Sequence, residues 1–192
     1  DDALLYVILS EMTVDLDKIE NICVLCWGLI GDVFIRVPVI EALKKRFPNA
    51  RVVVVVDPSS MAVLESHPDC DELVAYNRKK KPAYPYLWNS FKNIAYLRKQ
   101  HFDLSINLYS GGSSPLVTRL INARIRLGFD HTAALRKTNN LLVKHPLLCD
   151  NWSKEFGTIL TPLGVTKDEV RRGTSFYCSQ GAKAFALGLV GN

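Results

Sequence analysis

Residues 22–43, "ICVLCWGLIGDVFIRVPVIEAL", decide the fold. Residues 22–27 are apolar without alternation, the pattern of a strand buried on both faces. A turn, Gly28-Leu29-Ile30-Gly31, follows. Residues 32–47 then read as a helix closing in "KKRFPN", with cations in its last turn and Pro48 beyond it. A glycine turn between strand and helix commonly offers bare N–H groups to a phosphate. Here Asp32 stands at the helix mouth, and a carboxylate would compete with a phosphate for those donors and repel it. Pro38 lies inside the helical pattern, where it either kinks the helix or marks the start of its regular part.

Outward from this stretch, strand and helix alternate. Residues 51–56 ("RVVVVV"), 72–76, 103–108 and 125–129 read as further strands. Residues 59–66, 86–100, 116–121 and 151–163 read as helices, the last closed by Gly164. In residues 86–100 the period places Leu87, Phe91, Ile94 and Leu97 on one face, toward the core. This order predicts an α/β fold, a Rossmann-like parallel sheet with helices on both faces. Such sheets bind ligands beyond the carboxyl ends of their strands. The turns at 28–31, 57–60, 77–85 and 109–115 are therefore expected on one rim. The organisation reads as an extension at 1–20, a domain at 21–164, and a linker with a short helix at 165–192.

The 192 residues, 48% hydrophobic and 22% charged, suit one soluble domain and are too few for two full α/β domains. No run approaches the ~20 apolar residues of a membrane helix. "ALLYVIL" (3–9) follows two acids rather than a basic segment, so neither a signal peptide nor export is expected and the location read is cytoplasmic. The five cysteines, an odd number, fit free thiols. Cys23-x-x-Cys26 lies inside a strand, and His67, His101, His131 and His145 are scattered, so no metal site is expected. The net charge of +5 is unevenly spread: residues 73–149 hold thirteen Lys or Arg against Asp103 and Asp130, which is +11, and the rest of the chain carries −6. That asymmetry argues for an anionic partner.

Two readings of Asp32 stand: a helix N-cap, or a catalytic carboxylate acting as general base at the strand rim. "GGSSP" (111–115) is either a plain turn or a loop offering N–H groups to a sugar or phosphate. Tyr84, Tyr86, Trp88 and Tyr96 interleave with basic residues. They fit a nucleic-acid surface, an amphipathic helix lying on the core, or a membrane-touching face.

The motifs Pro38-Val39-Ile40-Glu41-Ala42-Leu43-Lys44, Phe47-Pro48-Asn49-Ala50, His67-Pro68-Asp69-Cys70-Asp71-Glu72-Leu73, Phe102-Asp103-Leu104-Ser105-Ile106-Asn107-Leu108 and Arg126-Leu127-Gly128-Phe129-Asp130 follow the Gly31-Asp32 pair in order. Together they resemble the N-terminal half of glycosyltransferase family 9, the lipopolysaccharide heptosyltransferases. The chain departs from that pattern in having Asn107 where many members have Asp, and residues 139–151 match poorly.

The resemblance implies a GT-B fold with this chain as its N-terminal half, and an inverting, metal-independent transfer of a sugar, heptose from ADP-heptose, to a phosphorylated lipopolysaccharide core acceptor. It implies Asp32 as general base and acceptor contacts at Arg78, Lys79, Lys80, Lys81 and Arg136; the turn and loop glycines Gly31, Gly111 and Gly112 join the acceptor-binding candidates on their own reading. No cofactor is implied. The implied partners are an anionic glycolipid acceptor and an ADP-sugar donor held mainly by a second domain outside these residues; a peripheral membrane contact is the reading of the Trp and Tyr residues at 84–96. Nucleic acid is not expected. The alternatives are a non-catalytic module binding anionic lipid or nucleic acid, and a nucleotide-dependent Rossmann enzyme. The latter would need a G-x-G-x-x-G turn that this sequence lacks.

Overall fold

A computed structural model of the chain describes residues 16–77, 84–109, 111–130, 132–145 and 152–178. Six parallel strands form one sheet in the order β3-β2-β1-β4-β5-β6. They are β1 (Asn21–Leu25), β2 (Arg51–Val56), β3 (Glu72–Ala75), β4 (Leu104–Asn107), β5 (Ile125–Phe129) and β6 (Leu141–Val143). The helices are α1 (Ile30–Phe34), α2 (Val37–Arg46), α3 (Tyr84–Lys99), α4 (Ser114–Ile121), α5 (Ala133–Thr138) and α6 (Trp152–Gly157). The first strands lie where the apolar runs place them. Residue 22 pairs with 52 and with 104, so β1 is bonded on both edges.

Alternate side chains of β1 and β2 feed opposite layers. Ile22, Val24, Val52 and Val54 enter a core shared with Ile40 and Leu43 of α2. Cys23, Leu25, Val53 and Val55 enter a second core with Leu97 of α3 and Val117 and Ile121 of α4. Burial on both faces is why these strands read as unbroken apolar runs.

The single helix read at 32–47 is two helices. Arg36 separates them, and Pro38 falls within the first turn of α2, where its missing N–H has no helical acceptor to lose. The helix read at 59–66 is a 3-10 segment, Pro58–Val63. Residues 151–163 divide into α6 and the 3-10 segment Thr158–Leu163. Strand β6 and helix α5 were not anticipated. Phe91 is a further correction: it is 64% exposed, whereas Leu97 is buried and Ile94 half-buried against the core. At 100° per residue Phe91 lies about 60° beyond Ile94 and 120° beyond Leu97, off the edge of the buried arc.

Beyond Gly164 the described tail packs back on the helices. Val165 and Val170 are buried. Thr174 Oγ1 donates to the Phe34 carbonyl at 2.9 Å, Arg171 lies 3.6 Å from the Glu41 carboxylate, and the Tyr177 ring meets His67 edge-on at 4.7 Å. The short helix read after residue 178 lies outside the described residues. Among the described residues no helix is long and apolar enough to cross a membrane.

Cys23 and Cys26 point to opposite faces of the sheet, one into each core, as their odd spacing on a strand dictates, so they form neither a redox pair nor half a metal knuckle. Burial pushes the Cys26 thiol up to about 11, the Cys70 thiol up to about 12, and that of Cys23 higher still. Cys178 is exposed. With an aromatic disulfide reagent at pH 8, peptide mapping should find Cys178 labelled rapidly, and Cys23, Cys26 and Cys70 labelled only once denaturant unfolds the chain.

Candidate functional site

Described residues of all four turns share one rim, the turn at 77–85 being represented by Asn77. Gly28, Leu29 and Asp32 after β1, Asp57, Pro58 and Ser59 after β2, Asn77 after β3, and Tyr109, Gly112 and Ser113 after β4 line an open cleft of about 610 Å³. It sits where the strand order reverses, between β1 and β4, and there the chains leaving adjacent strands run to opposite faces.

Gly28 forms the floor with φ +147°, a conformation that side chains rarely adopt. Its N–H donates to Asp57 Oδ2 at 3.1 Å, and its carbonyl accepts from Ser60 Oγ at 2.8 Å. The next N–H, that of Leu29, donates to Asp32 Oδ2 at 2.9 Å. A Cβ on Gly28 would lie 2.5 Å from Asp32 Cβ and 2.8 Å from Oδ2. Turn and carboxylate are therefore packed as one unit. Behind them Arg36, only 6% exposed, donates to the Trp27 carbonyl at 2.5 Å and lies 4.6 Å over the Phe156 ring. This pins the end of β1 immediately before the turn.

Asp32 is not the N-cap. That position is Leu29, whose side chain has nothing to donate or accept. Asp32 is the third helical residue and reaches back to the Leu29 N–H, the acid half of a capping box. With only five residues in α1, the hydrogen bond fixes this carboxylate more than any helix dipole does. Two of the N–H groups that a phosphate could use here, those of Gly28 and Leu29, are therefore occupied by carboxylates.

The opposite wall rests on Asn107, buried at the end of β4. Its Nδ2 donates to Ser114 Oγ at 2.5 Å and to Thr118 Oγ1 at 3.1 Å, and its Oδ1 accepts from the Tyr109 N–H at 3.0 Å. One amide thus ties β4, the glycine loop and α4 together, using donors that an Asp at this position would lack.

The remaining candidates are dispersed. Gly112, at φ +62°, lines the cleft with open space where a Cβ would stand. Gly111 instead faces the Tyr109 ring at 3.1 Å. Gly31 is exposed, with nothing near its missing Cβ. Arg136 donates to the Asp130 carbonyl at 2.5 Å and is not among the cleft residues. Arg78, Lys79, Lys80 and Lys81 lie outside the described residues. Asp57, Ser60 and Arg36 were missed as site residues, since "DPSS" reads only as a turn. Of the described cations of residues 73–149, Arg98, Lys99 and Arg119 end helices, where they complement the carboxyl termini, and Arg124 precedes β5 and lies 3.9 Å from Asp103, so these four lie toward the opposite end of the sheet. No group of three or more His, Cys, Asp or Glu among the described residues is placed to hold a metal ion.

A parallel 3-2-1-4-5-6 sheet with an acid on the floor of the crevice at its switch point is an α/β fold of the Rossmann-like class. Comparison with known proteins narrows the class. No family model matches the chain. Lipopolysaccharide heptosyltransferase 3 of Escherichia coli is 33% identical over 139 residues, covering 70% of this chain and 40% of that protein. The lipopolysaccharide core heptosyltransferase OpsX of Haemophilus influenzae is 23% identical over 111 residues, 57% of this chain and 30% of that protein. Among solved structures, a family 9 glycosyltransferase from Veillonella parvula superposes with a TM-score of 0.76 at 22% identity, covering 90% of this chain and 49% of that one. The E. coli heptosyltransferase WaaC with ADP gives 0.67 at 17% identity, over 77% and 48%. The chain is a homologue of the lipopolysaccharide heptosyltransferases and has the glycosyltransferase family 9 fold. It spans about 40% of the length of the first of these relatives and about half of each solved chain.

Because Gly28 combines a positive φ with a Cβ position already filled by Asp32, Gly28→Ala should lower unfolding free energy by about 2–4 kcal/mol, read as a lower urea midpoint with an unchanged slope. Gly31→Ala, at an open position, should cost less than about 1 kcal/mol.

Proposed function

We propose that the chain is the acceptor-binding half of a glycosyltransferase of lipopolysaccharide core biosynthesis. In this reading Asp32 is the general base. The carboxylate removes the proton from an acceptor hydroxyl as that oxygen attacks the anomeric carbon of an ADP-sugar, ADP-heptose by family resemblance. The new C–O bond forms as the bond to ADP breaks, ADP departs with its electron pair, and the proton rests on Asp32. A single displacement of this kind inverts the anomeric centre, and the residues in hand give it a base without a metal. A second domain would hold the donor. The cations after β3, Arg78 through Lys81, would meet acceptor phosphates, with Gly112 on the facing loop.

The observation that carries this reading is the pair of occupied N–H groups at Gly28 and Leu29. They leave a turn shaped for a hydroxyl beside a carboxylate rather than for a pyrophosphate. The homologues' names support the chemistry, and their greater length leaves room for a donor-binding domain.

One observation favours a nucleotide-dependent enzyme instead. The strand order is that of dinucleotide-binding sheets, and Asp57 ends β2, where such enzymes keep an acid for the ribose. Calorimetry separates the two. The 192-residue chain should take up a phosphorylated core-oligosaccharide fragment and not ADP; tight ADP binding without fragment binding would restore the nucleotide reading.

In a full-length enzyme carrying both halves, Asp32→Asn keeps an oxygen to accept from the Leu29 N–H and removes only the base. It should lower kcat by ~10²–10⁴-fold with acceptor KM within a few-fold. A loss of only a few-fold would reduce Asp32 to a structural acid.

A further inference from the structure

Among the described residues nothing covers one face of helix α3. Trp88 is 49% and Phe91 64% exposed, and their rings stack on each other, 6.2 Å between centroids, instead of entering the core. The Lys92 ammonium sits 5.5 Å over the Trp88 ring. At 100° per residue Trp88, Phe91, Lys92, Ala95 and Lys99 fall within one arc of about 100°, opposite buried Leu97. The stripe is thus two large aromatics bordered by two lysines. No Asp or Glu occurs from residue 73 to residue 102, and Glu72, which accepts from the Tyr96 hydroxyl of α3, is itself paired with Arg51.

Two features place the stripe relative to the site. Lys92 lines a smaller hollow with Asn89 and Asn93, and that hollow shares Pro58 and Asn77 with the Asp32 cleft. The aromatic pair therefore lies beside the mouth of the cleft, on its β3 side. A 16-residue helix is about 24 Å long at 1.5 Å per residue, enough to lie along a surface rather than touch it at a point.

We propose that this face of α3 docks onto an anionic lipid bilayer. Trp88 and Phe91 enter the interfacial layer, while Lys92 and Lys99 meet lipid phosphates. An interfacial helix needs this combination: apolar rings flanked by cations, without enough length or hydrophobicity to cross. The inference rests on the glycolipid-acceptor reading for its purpose, since it sets the Asp32 cleft beside the membrane that would present such an acceptor. The docking itself requires no acceptor.

The test is co-sedimentation of the 192-residue chain with vesicles of phosphatidylethanolamine and phosphatidylglycerol, against phosphatidylcholine alone. Parallel arms use single-stranded nucleic acid and the soluble core-oligosaccharide fragment. Wild type should bind the anionic vesicles at least about tenfold better than the neutral ones. Trp88→Ala with Phe91→Ala should lower that binding about tenfold or more, and Lys92→Glu with Lys99→Glu should do so at low salt. Fragment binding should survive in both variants, because none of these four residues lines the Asp32 cleft.

Absence of wild-type vesicle binding, vesicle binding equal in wild type and both variants, or aromatic-dependent binding of nucleic acid in place of vesicles would overturn the proposal. Loss of fragment binding by wild type with vesicle binding intact would strike the acceptor reading and leave the docking face standing. If the aromatic variant fails to fold, the charge-reversal variant, altered only at lysines, decides alone.

Discussion

Everything in this molecule hangs on the pairing of β1 with two parallel neighbours, β2 on one edge and β4 on the other. A parallel sheet cannot turn back on itself by a hairpin, so each strand is reached by a crossover. The chain builds outward from β1 to β3 and then returns across the sheet to start β4. That return leaves a gap beyond the end of β1 which no connection fills. The 610 Å³ cleft is this gap, a consequence of strand order before any side chain is considered.

What the side chains add is the sign of the charge the gap accepts. Bare backbone N–H groups at a strand end make a site for anions, and most Rossmann-like sheets use them so. Here Asp32 and Asp57 each take one of those donors, while Ser60 holds the carbonyl between them. Two of the turn's donors are thereby taken by carboxylates, which bring negative charge to a place where such sheets often keep bare N–H groups. The Asp32 carboxylate lining the cleft is held by a backbone bond and by its packing on Gly28, so its orientation is set by the turn itself.

The strands were legible because burial on both faces leaves an unbroken apolar run, of which "RVVVVV" is the plainest. Pro38 was legible as a conflict, and of its two resolutions the break at Arg36 is the one adopted. Other elements gave weaker signals. β6 has only three residues, too few to show a period, and α5 is announced by a single cap, the Thr132 hydroxyl accepting from the Leu135 N–H at 3.2 Å. Phe91 misled because an apolar residue at the edge of a helical arc fits the spacing without being inside. The charge count has a limit of another kind: it registers how many cations a segment holds but not which end of each helix they occupy. Asp57 and Ser60 were hidden because their work is done through the backbone of a residue about thirty positions earlier.

The tail after Leu163 has a mechanical consequence. Arg46 Nε grips the Leu163 carbonyl at 2.9 Å, Val165 and Val170 are buried, and Thr174 and Tyr177 are fastened to α1 and to the loop after the 3-10 segment. Gly164, whose left-handed φ of +81° gives it the look of a swivel, is therefore splinted on both sides. Torque applied to the chain beyond Tyr177 cannot be absorbed there as free rotation. It passes through the Thr174 bond to the last residue of α1, and so to the short lever on which Asp32 is carried.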